Sequence, residues 1–179
     1  MNSTNQLVEN KKYNTKDLVI TSLLIAIVFV ATAFINIRLP ISINGGLIHL
    51  GTGALIVSSI LYGKKKGAIA GAFGMAIFDI FSGWAAWAPF TFIVRGVMGY
   101  IIGSIAYTKG EKSRELGWNI IGIILGGIWM IAGYYATEGI LYGNWSVPVT
   151  SIPGNAIQIL VGAVIGLPLI ATLKKLKLY

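Results

Sequence analysis

The chain has no cysteine. That excludes disulfides, thiolate zinc sites and cysteine nucleophiles. It has a single histidine, so no second imidazole exists to share a metal. Charge is scarce: 11% of the 179 residues are charged, and only six are acidic. No G-x-x-x-x-G-K-[ST] occurs. Gly63-Lys64-Lys65 lacks the preceding glycine spacing, so the chain carries no loop for hydrolysing ATP. G-x-S-x-G, H-E-x-x-H and an acidic metal cluster are missing too, as is any nucleophile paired with a base. The expectation is a protein without catalytic residues, metal or cofactor.

Apolar residues make up 55% of the sequence. That composition marks an integral membrane protein of one domain. The net charge of +8 invites a nucleic-acid reading, but position argues against it. Twelve of the 14 basic residues fall in four clusters: Lys11, Lys12 and Lys16; Lys64, Lys65 and Lys66; Lys109, Lys112 and Arg114; Lys174, Lys175 and Lys177. Between consecutive clusters the chain is apolar and long enough to cross a bilayer twice. By the positive-inside rule the clusters are cytoplasmic. This predicts an all-α bundle of six transmembrane helices with both termini inside, in a prokaryotic plasma membrane. Lys11 to Lys16, the run from Leu18 and Ala31-Thr32-Ala33 mimic a signal peptide. The polar leader is long, however, and the apolar run continues past Ala33. A retained first helix follows, with residues 1–16 as a cytoplasmic leader and 17–179 as the bundle.

The expected helices are Asp17–Ile37, Leu47–Tyr62, Gly67–Ser82, Pro89–Tyr107, Leu116–Leu141 and Pro153–Leu173. Residues 38–47, 83–89 and 142–151 are the outer connections, with Pro40, Asn44, Gly45 and Gly46 as turn formers. The second helix, at sixteen residues, spans about 24 Å, less than a hydrocarbon core of about 30 Å. Outer loops that dip into the bundle would account for that. Gly67/Gly71, Gly99/Gly103, Gly122/Gly126 and Gly162/Gly166 each put two small residues on one helix face, which suits close packing within the bundle or against a partner helix. Ala26, Ala31 and Ala33 form a smooth strip on helix 1 that could serve a partner.

Four ionisable residues lie at membrane depth: His49, Asp79, Arg95 and Glu138. A charge there costs about 2.5–3.5 kcal/mol on insertion scales and so faces a cavity or a partner. All four fall toward the outer helix ends. Asp79 is about 4.5 Å deep and Arg95 about 9 Å deep at helical rise. Asn155 and Gln158 share one face of helix 6, with Gly162 continuing it; Tyr134 and Glu138 share one of helix 5; Phe92, Arg95 and Gly99 share one of helix 4. Polar groups beside aromatic or small residues are the make-up of a small-molecule pocket. The bland alternatives stand beside this. Asp79 and Arg95 could simply pair and join helices 3 and 4, His49 could cap helix 2, Glu138 could be interfacial, and Trp84, Trp87 and Trp145 could be belt residues.

Leu47 to Tyr107 resembles the substrate-binding S component of energy-coupling factor (ECF) vitamin transporters, in the riboflavin-type branch that also holds vitamin B6 and hydroxymethylpyrimidine candidates. The residues that carry it are Gly63-Lys64-Lys65-Lys66-Gly67-Ala68-Ile69-Ala70-Gly71, Phe78-Asp79-Ile80-Phe81-Ser82-Gly83, Trp87-Ala88-Pro89-Phe90-Thr91 and Arg95-Gly96. The resemblance implies a six-helix bundle holding a vitamin near its outer face, with residues 38–48 as a covering loop. It implies partners as well: a transmembrane coupling subunit and two ATPase subunits, onto which the chain delivers its cargo by toppling. The family's Ala-x-x-x-Ala pattern on helix 1 is not kept, since Val30 and then Ala31 follow Ala26. A pyridine or pyrimidine of the vitamin B6 or hydroxymethylpyrimidine kind is the first expected ligand, and riboflavin the second. Asp79, Arg95, Asn155 and Gln158 would hydrogen-bond it, with Trp84 or Tyr134 stacking and His49, Glu138 and Asn44 close by. The rivals are a ligand-free membrane scaffold and an autonomous secondary carrier.

Overall fold

A computed structural model describes residues 14–34, 36–38, 47–108 and 115–176, without the side chains of Ile37 and Arg38. Asn44, most of the expected covering loop, residues 1–13 of the leader and residues 109–114 lie outside the described residues. Among the described residues the chain forms α1 (Thr15–Phe34), β1 (Asn36–Arg38), β2 (Leu47–His49), α2 (Gly51–Phe81), α3 (Ala88–Ala106), α4 (Leu116–Tyr142), a 3-10 turn (Val147–Ser151) and α5 (Ile152–Lys175). Four helical stretches are long and apolar enough to cross a membrane: Thr15–Phe34, Ala88–Ala106, Leu116–Tyr142 and Val147–Lys175.

Helix α2 is continuous only in name. Gly63 sits at φ 86, ψ 170, far outside helical values, in a region open to glycine and strained for other residues. The chain reverses there. A Cβ on Gly67 would lie 2.5 Å from Ser59 Cα, and one on Gly71 would meet Leu55 Cδ1 at 2.5 Å. Each step forward along 64–81 is thus matched by a step back along 51–62, which describes an antiparallel hairpin of two helical arms. The expected helices 2 and 3 are these arms, closed by Gly63 with almost no loop.

The start of the first arm differs from expectation. Leu47–His49 is not helical but pairs antiparallel with Asn36–Arg38, with Asn36 opposite His49 and Arg38 opposite Leu47. Helix α1 accordingly stops at Phe34 rather than Ile37. A β-branched or apolar triplet flanked by turn residues suits a strand as well as a helix end. Pairing with Asn36–Arg38 satisfies backbone groups that a helix end at Ile37 would leave open.

The core lies between α2, α3 and α4. Leu55, Ile56, Ile60, Met98, Ile102 and Met130 are fully enclosed. Close approach of α2 and α3 depends on Gly99, whose Cβ would meet the Gly67 carbonyl oxygen at 2.7 Å. The other glycine pairs also pack inside the bundle: Gly103 against Lys64 Cα, Gly122 and Gly126 against Ile102, Gly162 against Thr52 and Gly166 against Ile56. Ile124, Leu125, Ile128, Leu160 and Val164 face outward, as helices bathed in lipid require. Helix α1 is the least enclosed, buried only along Leu24, Val28 and Thr32.

Candidate functional site

The hairpin at Gly63 puts Lys64, Lys65 and Lys66 at one end of the bundle. The opposite end gathers the start of the first α2 arm, the end of the second, the start of α3, the end of α4 and the start of α5. A cavity of about 110 Å³ opens there. Eight of the residues singled out from the sequence line it. His49 comes from β2, Asp79 from α2, Trp84 from the α2–α3 turn, Arg95 from α3, Tyr134 and Glu138 from α4, and Asn155 and Gln158 from α5. The two pairs three and four residues apart, Asn155/Gln158 and Tyr134/Glu138, arrive on shared faces because one helical turn returns a side chain to the same side.

Arg95 organises the floor. It is 2% exposed, and its fork is divided between two helices. Nε donates to Tyr134 Oη at 3.0 Å, and Nη1 donates to Thr52 Oγ1 at 3.1 Å. Its guanidinium carbon also lies 5.1 Å from the Tyr134 ring centroid, within cation–π range. Tyr134 in turn donates to Thr91 Oγ1 at 3.4 Å. Thr52 is a junction, because Gln158 Nε2 donates to the same hydroxyl at 3.0 Å and faces His49 Nε2 at 2.8 Å. Burial first, and the Arg95 guanidinium second, hold the His49 imidazole well below its ordinary pKa. Its Nδ1 is buried with no hydrogen-bond partner among the described residues.

The carboxylates sit on other walls. Glu138 is buried and accepts a hydrogen bond from Ser151 Oγ at 2.7 Å. Asp79 lies in the field of Arg95 and beside Thr91, yet the two opposite charges form no direct ion pair. A simple Asp79–Arg95 link between helices therefore does not describe this end of the bundle. The aromatic wall runs from Trp84 to Trp87 at 6.2 Å between ring centroids, then to Tyr134 at 6.3 Å and Tyr142 at 6.2 Å.

Several lining residues escaped the sequence reading: Thr91, Ser151, Phe78, Leu47 and, as more than a belt residue, Trp87. Thr91 had a signal, since it precedes Arg95 by four and so shares its face. Phe92, three before Arg95, was assigned to that face instead. It is 40% exposed and packs edge-on against Phe73 at 5.0 Å, outside the cavity. Ser151 had no signal, because its place depends on the 3-10 turn that folds back onto α4.

The sequence profile described as ECF-type riboflavin transporter, S component, matches residues 12–175. An uncharacterized protein from the gap 3'region of Pyrococcus woesei is 32% identical over 139 residues, covering 78% of this chain and 90% of that protein. The thiamine precursor transporter HmpT of Lactococcus lactis subsp. cremoris is 28% identical over 160 residues, covering 89% of this chain and 87% of its own. A solved S component of a bacterial ECF transporter superposes with a TM-score of 0.69 over 90% of this chain and 97% of its own, at 21% identity, which is a likeness of fold. A match over nearly the whole length places this membrane protein among transporters rather than enzymes: it belongs to the ECF-type riboflavin transporter S component family.

Proposed function

We propose that the chain captures a single-ring vitamin or vitamin precursor in the cavity between Asp79, Arg95, Glu138 and Gln158. It then passes the ligand inward in complex with a transmembrane coupling subunit and two ATPase subunits. The cavity carries this reading. It combines an aromatic wall with convergent polar groups from β2, α2, α3, α4 and α5. Its volume, about 110 Å³, suits one six-membered ring, since a cavity of roughly 150 Å³ holds benzene. A hydroxymethylpyrimidine or pyridoxine therefore ranks before riboflavin. The relationship to a thiamine precursor transporter supports the pyrimidine, and the family description keeps riboflavin as the second choice.

Orientation follows from charge. With Lys64–Lys66 and Lys174–Lys175 cytoplasmic, as the positive-inside rule requires, both termini lie inside and the cavity faces out. Six membrane crossings result when the two arms of α2 are counted separately. Partner docking is assigned to α1, through Ala26 and Ala33; Ala31, expected on the same strip, is turned about 140° from Ala26 and lines a groove with Leu24 and Leu50. This helix exposes Leu23, Ile27, Val30 and Phe34 as well, leaving a face ready for another helix. The absence of a phosphate-binding loop places ATP hydrolysis on other subunits.

The test is titration of the purified chain in detergent with a vitamin panel, read by tryptophan fluorescence, since Trp84 and Trp87 line the cavity. The expected result is a sub-micromolar Kd for a pyrimidine or pyridine. Failure of every vitamin to bind below micromolar would sink the reading. Co-purification with an ATPase tests the partner half separately.

A further inference from the structure

What the cavity accepts is decided by the charge on its walls and by the donors already spent within it. Among the described residues the one cation on the wall is Arg95. It is fully buried among protein partners, with Nε on Tyr134 and Nη1 on Thr52. The Gln158 amide nitrogen is likewise committed to Thr52 and His49. Against this single guanidinium stand two carboxylates, Asp79 and Glu138. Carboxylates accept and do not donate. Among the described residues no lysine lines the cavity; those described stand at the opposite end. Helix dipoles do not redress the balance. Three helical segments end on the cavity side of the bundle, at Phe34, Phe81 and Tyr142, and three begin on that side, at Gly51, Ala88 and Ile152, so that side carries partial charges of both signs.

Resting on the vitamin reading above, we propose that Asp79 and Glu138 make the cavity selective for an uncharged or cationic ring that carries hydrogen-bond donors, and that they exclude the phosphate ester of the same ring. Amino, hydroxymethyl or protonated ring-nitrogen groups would supply donors to the two carboxylates. A phosphate monoester brings about −1.5 to −2 charges and only acceptor oxygens at neutral pH. It would be desolvated between two like charges, where Arg95, the one cation among the described lining residues, already gives Nε to Tyr134 and Nη1 to Thr52. Like-charge juxtaposition across an interface costs several kcal/mol, and discrimination of this kind works by rejecting the wrong ligand as much as by favouring the right one.

The experiment uses the full chain in detergent and three alcohol–phosphate pairs: hydroxymethylpyrimidine and its monophosphate, pyridoxine and its 5'-phosphate, and riboflavin and its 5'-phosphate. For whichever alcohol binds, the expected Kd is lower than that of its ester by about a hundredfold or more. The ratio falls below about tenfold in an Asp79→Asn/Glu138→Gln double variant, mainly through tighter binding of the ester. Either single variant is expected to move the ratio partway, which guards against a double variant that does not fold. The wild-type ratio requires no variant at all. An ester that binds within about threefold of its alcohol overturns the inference while leaving the vitamin reading intact. So does an unchanged ratio in a variant that still binds the alcohol. If none of the three alcohols binds, both fail together.

Discussion

Gln158 on α5 and His49 on β2 face each other at 2.8 Å across 109 residues of sequence. An amide nitrogen only donates, so His49 Nε2 accepts and the imidazole proton sits on Nδ1. That nitrogen is buried without a partner among the described residues, and a charged ring there would add a second unsatisfied burden.

The first prediction concerns this ring. His49 is the one histidine of the chain, so nitrogen-15 labelling of histidine reports it alone. The spectrum is expected to show a neutral ring protonated at Nδ1 at pH 8 and still neutral as the pH passes below the ordinary value of 6.5. The sign for stability follows. The unfolded chain takes up a proton as pH falls through about 6.5, whereas the folded chain resists until its lower pKa. Stability is therefore full above 6.5 and declines as pH falls below it. A ring that titrates near 6.5 in the folded protein would refute this.

A second prediction removes the other partner. Gln158→Leu keeps the volume but deprives Thr52 and His49 of the shared amide. Thr52 Oγ1 keeps its bond from Arg95 Nη1, so His49 Nε2 is the group left unpaired, at a cost of about 1–3 kcal/mol. The melting temperature should fall by several degrees, and ligand affinity should drop by about tenfold or more. Gln158→Glu puts an acceptor where the amide donated and adds a third carboxylate, and is expected to bind an uncharged ring more weakly than wild type. A Gln158→Leu protein with unchanged affinity would show that the network is structural alone.

How much of this was legible in the sequence depends on distance along the chain. Asn155/Gln158 and Tyr134/Glu138 were readable because a helix fixes residues three and four apart on one face, whatever the tertiary fold. The junction at Thr52 was not readable. It joins Arg95 and Gln158 from different helices, and no local spacing encodes that meeting. The strand at Leu47–His49 was missed for a related reason: its partner, Asn36–Arg38, lies across a connection whose course the sequence does not reveal. Phe92 shows the limit of face assignment, since a residue three away on a helix is rotated by about 60° and can fall on the lipid side.

A third prediction separates packing glycines from idle ones. A Cβ at Gly99 would lie 2.7 Å from the Gly67 carbonyl oxygen and 3.0 Å from Ala68 N. These are backbone atoms that cannot swing aside, so Gly99→Ala must push α2 and α3 apart at a cost of about 1–3 kcal/mol. Gly117 has nothing within 4 Å of the same position. Gly117→Ala, in the first turn of α4, should be neutral or stabilise by up to about 1 kcal/mol, from reduced freedom of the unfolded chain. Thermal unfolding in one detergent compares the two directly. Equal melting temperatures would mean that the α2–α3 contact is looser than described.

The last prediction asks whether Arg95 matters as a charge or as a shape. Its Nε and Nη1 reach Tyr134 and Thr52 in two directions at 3.0 and 3.1 Å. A lysine brings the same charge but a single nitrogen, without the planar fork. If Arg95 served only to balance Asp79 and Glu138, Arg95→Lys would bind ligand as wild type does. Because Tyr134 is both hydrogen-bonded to the guanidinium and covered by it at 5.1 Å, loss of the fork should release the ring from the cavity wall. Affinity is then expected to fall by about tenfold or more in Arg95→Lys. Tyr134→Phe, which keeps the ring and removes only the hydroxyl, should fall by less. In Arg95→Met the two carboxylates lose the one cation among the described lining residues, and the melting temperature should drop further than in Arg95→Lys. An order in which lysine and methionine behave alike in both assays would assign Arg95 to neither role.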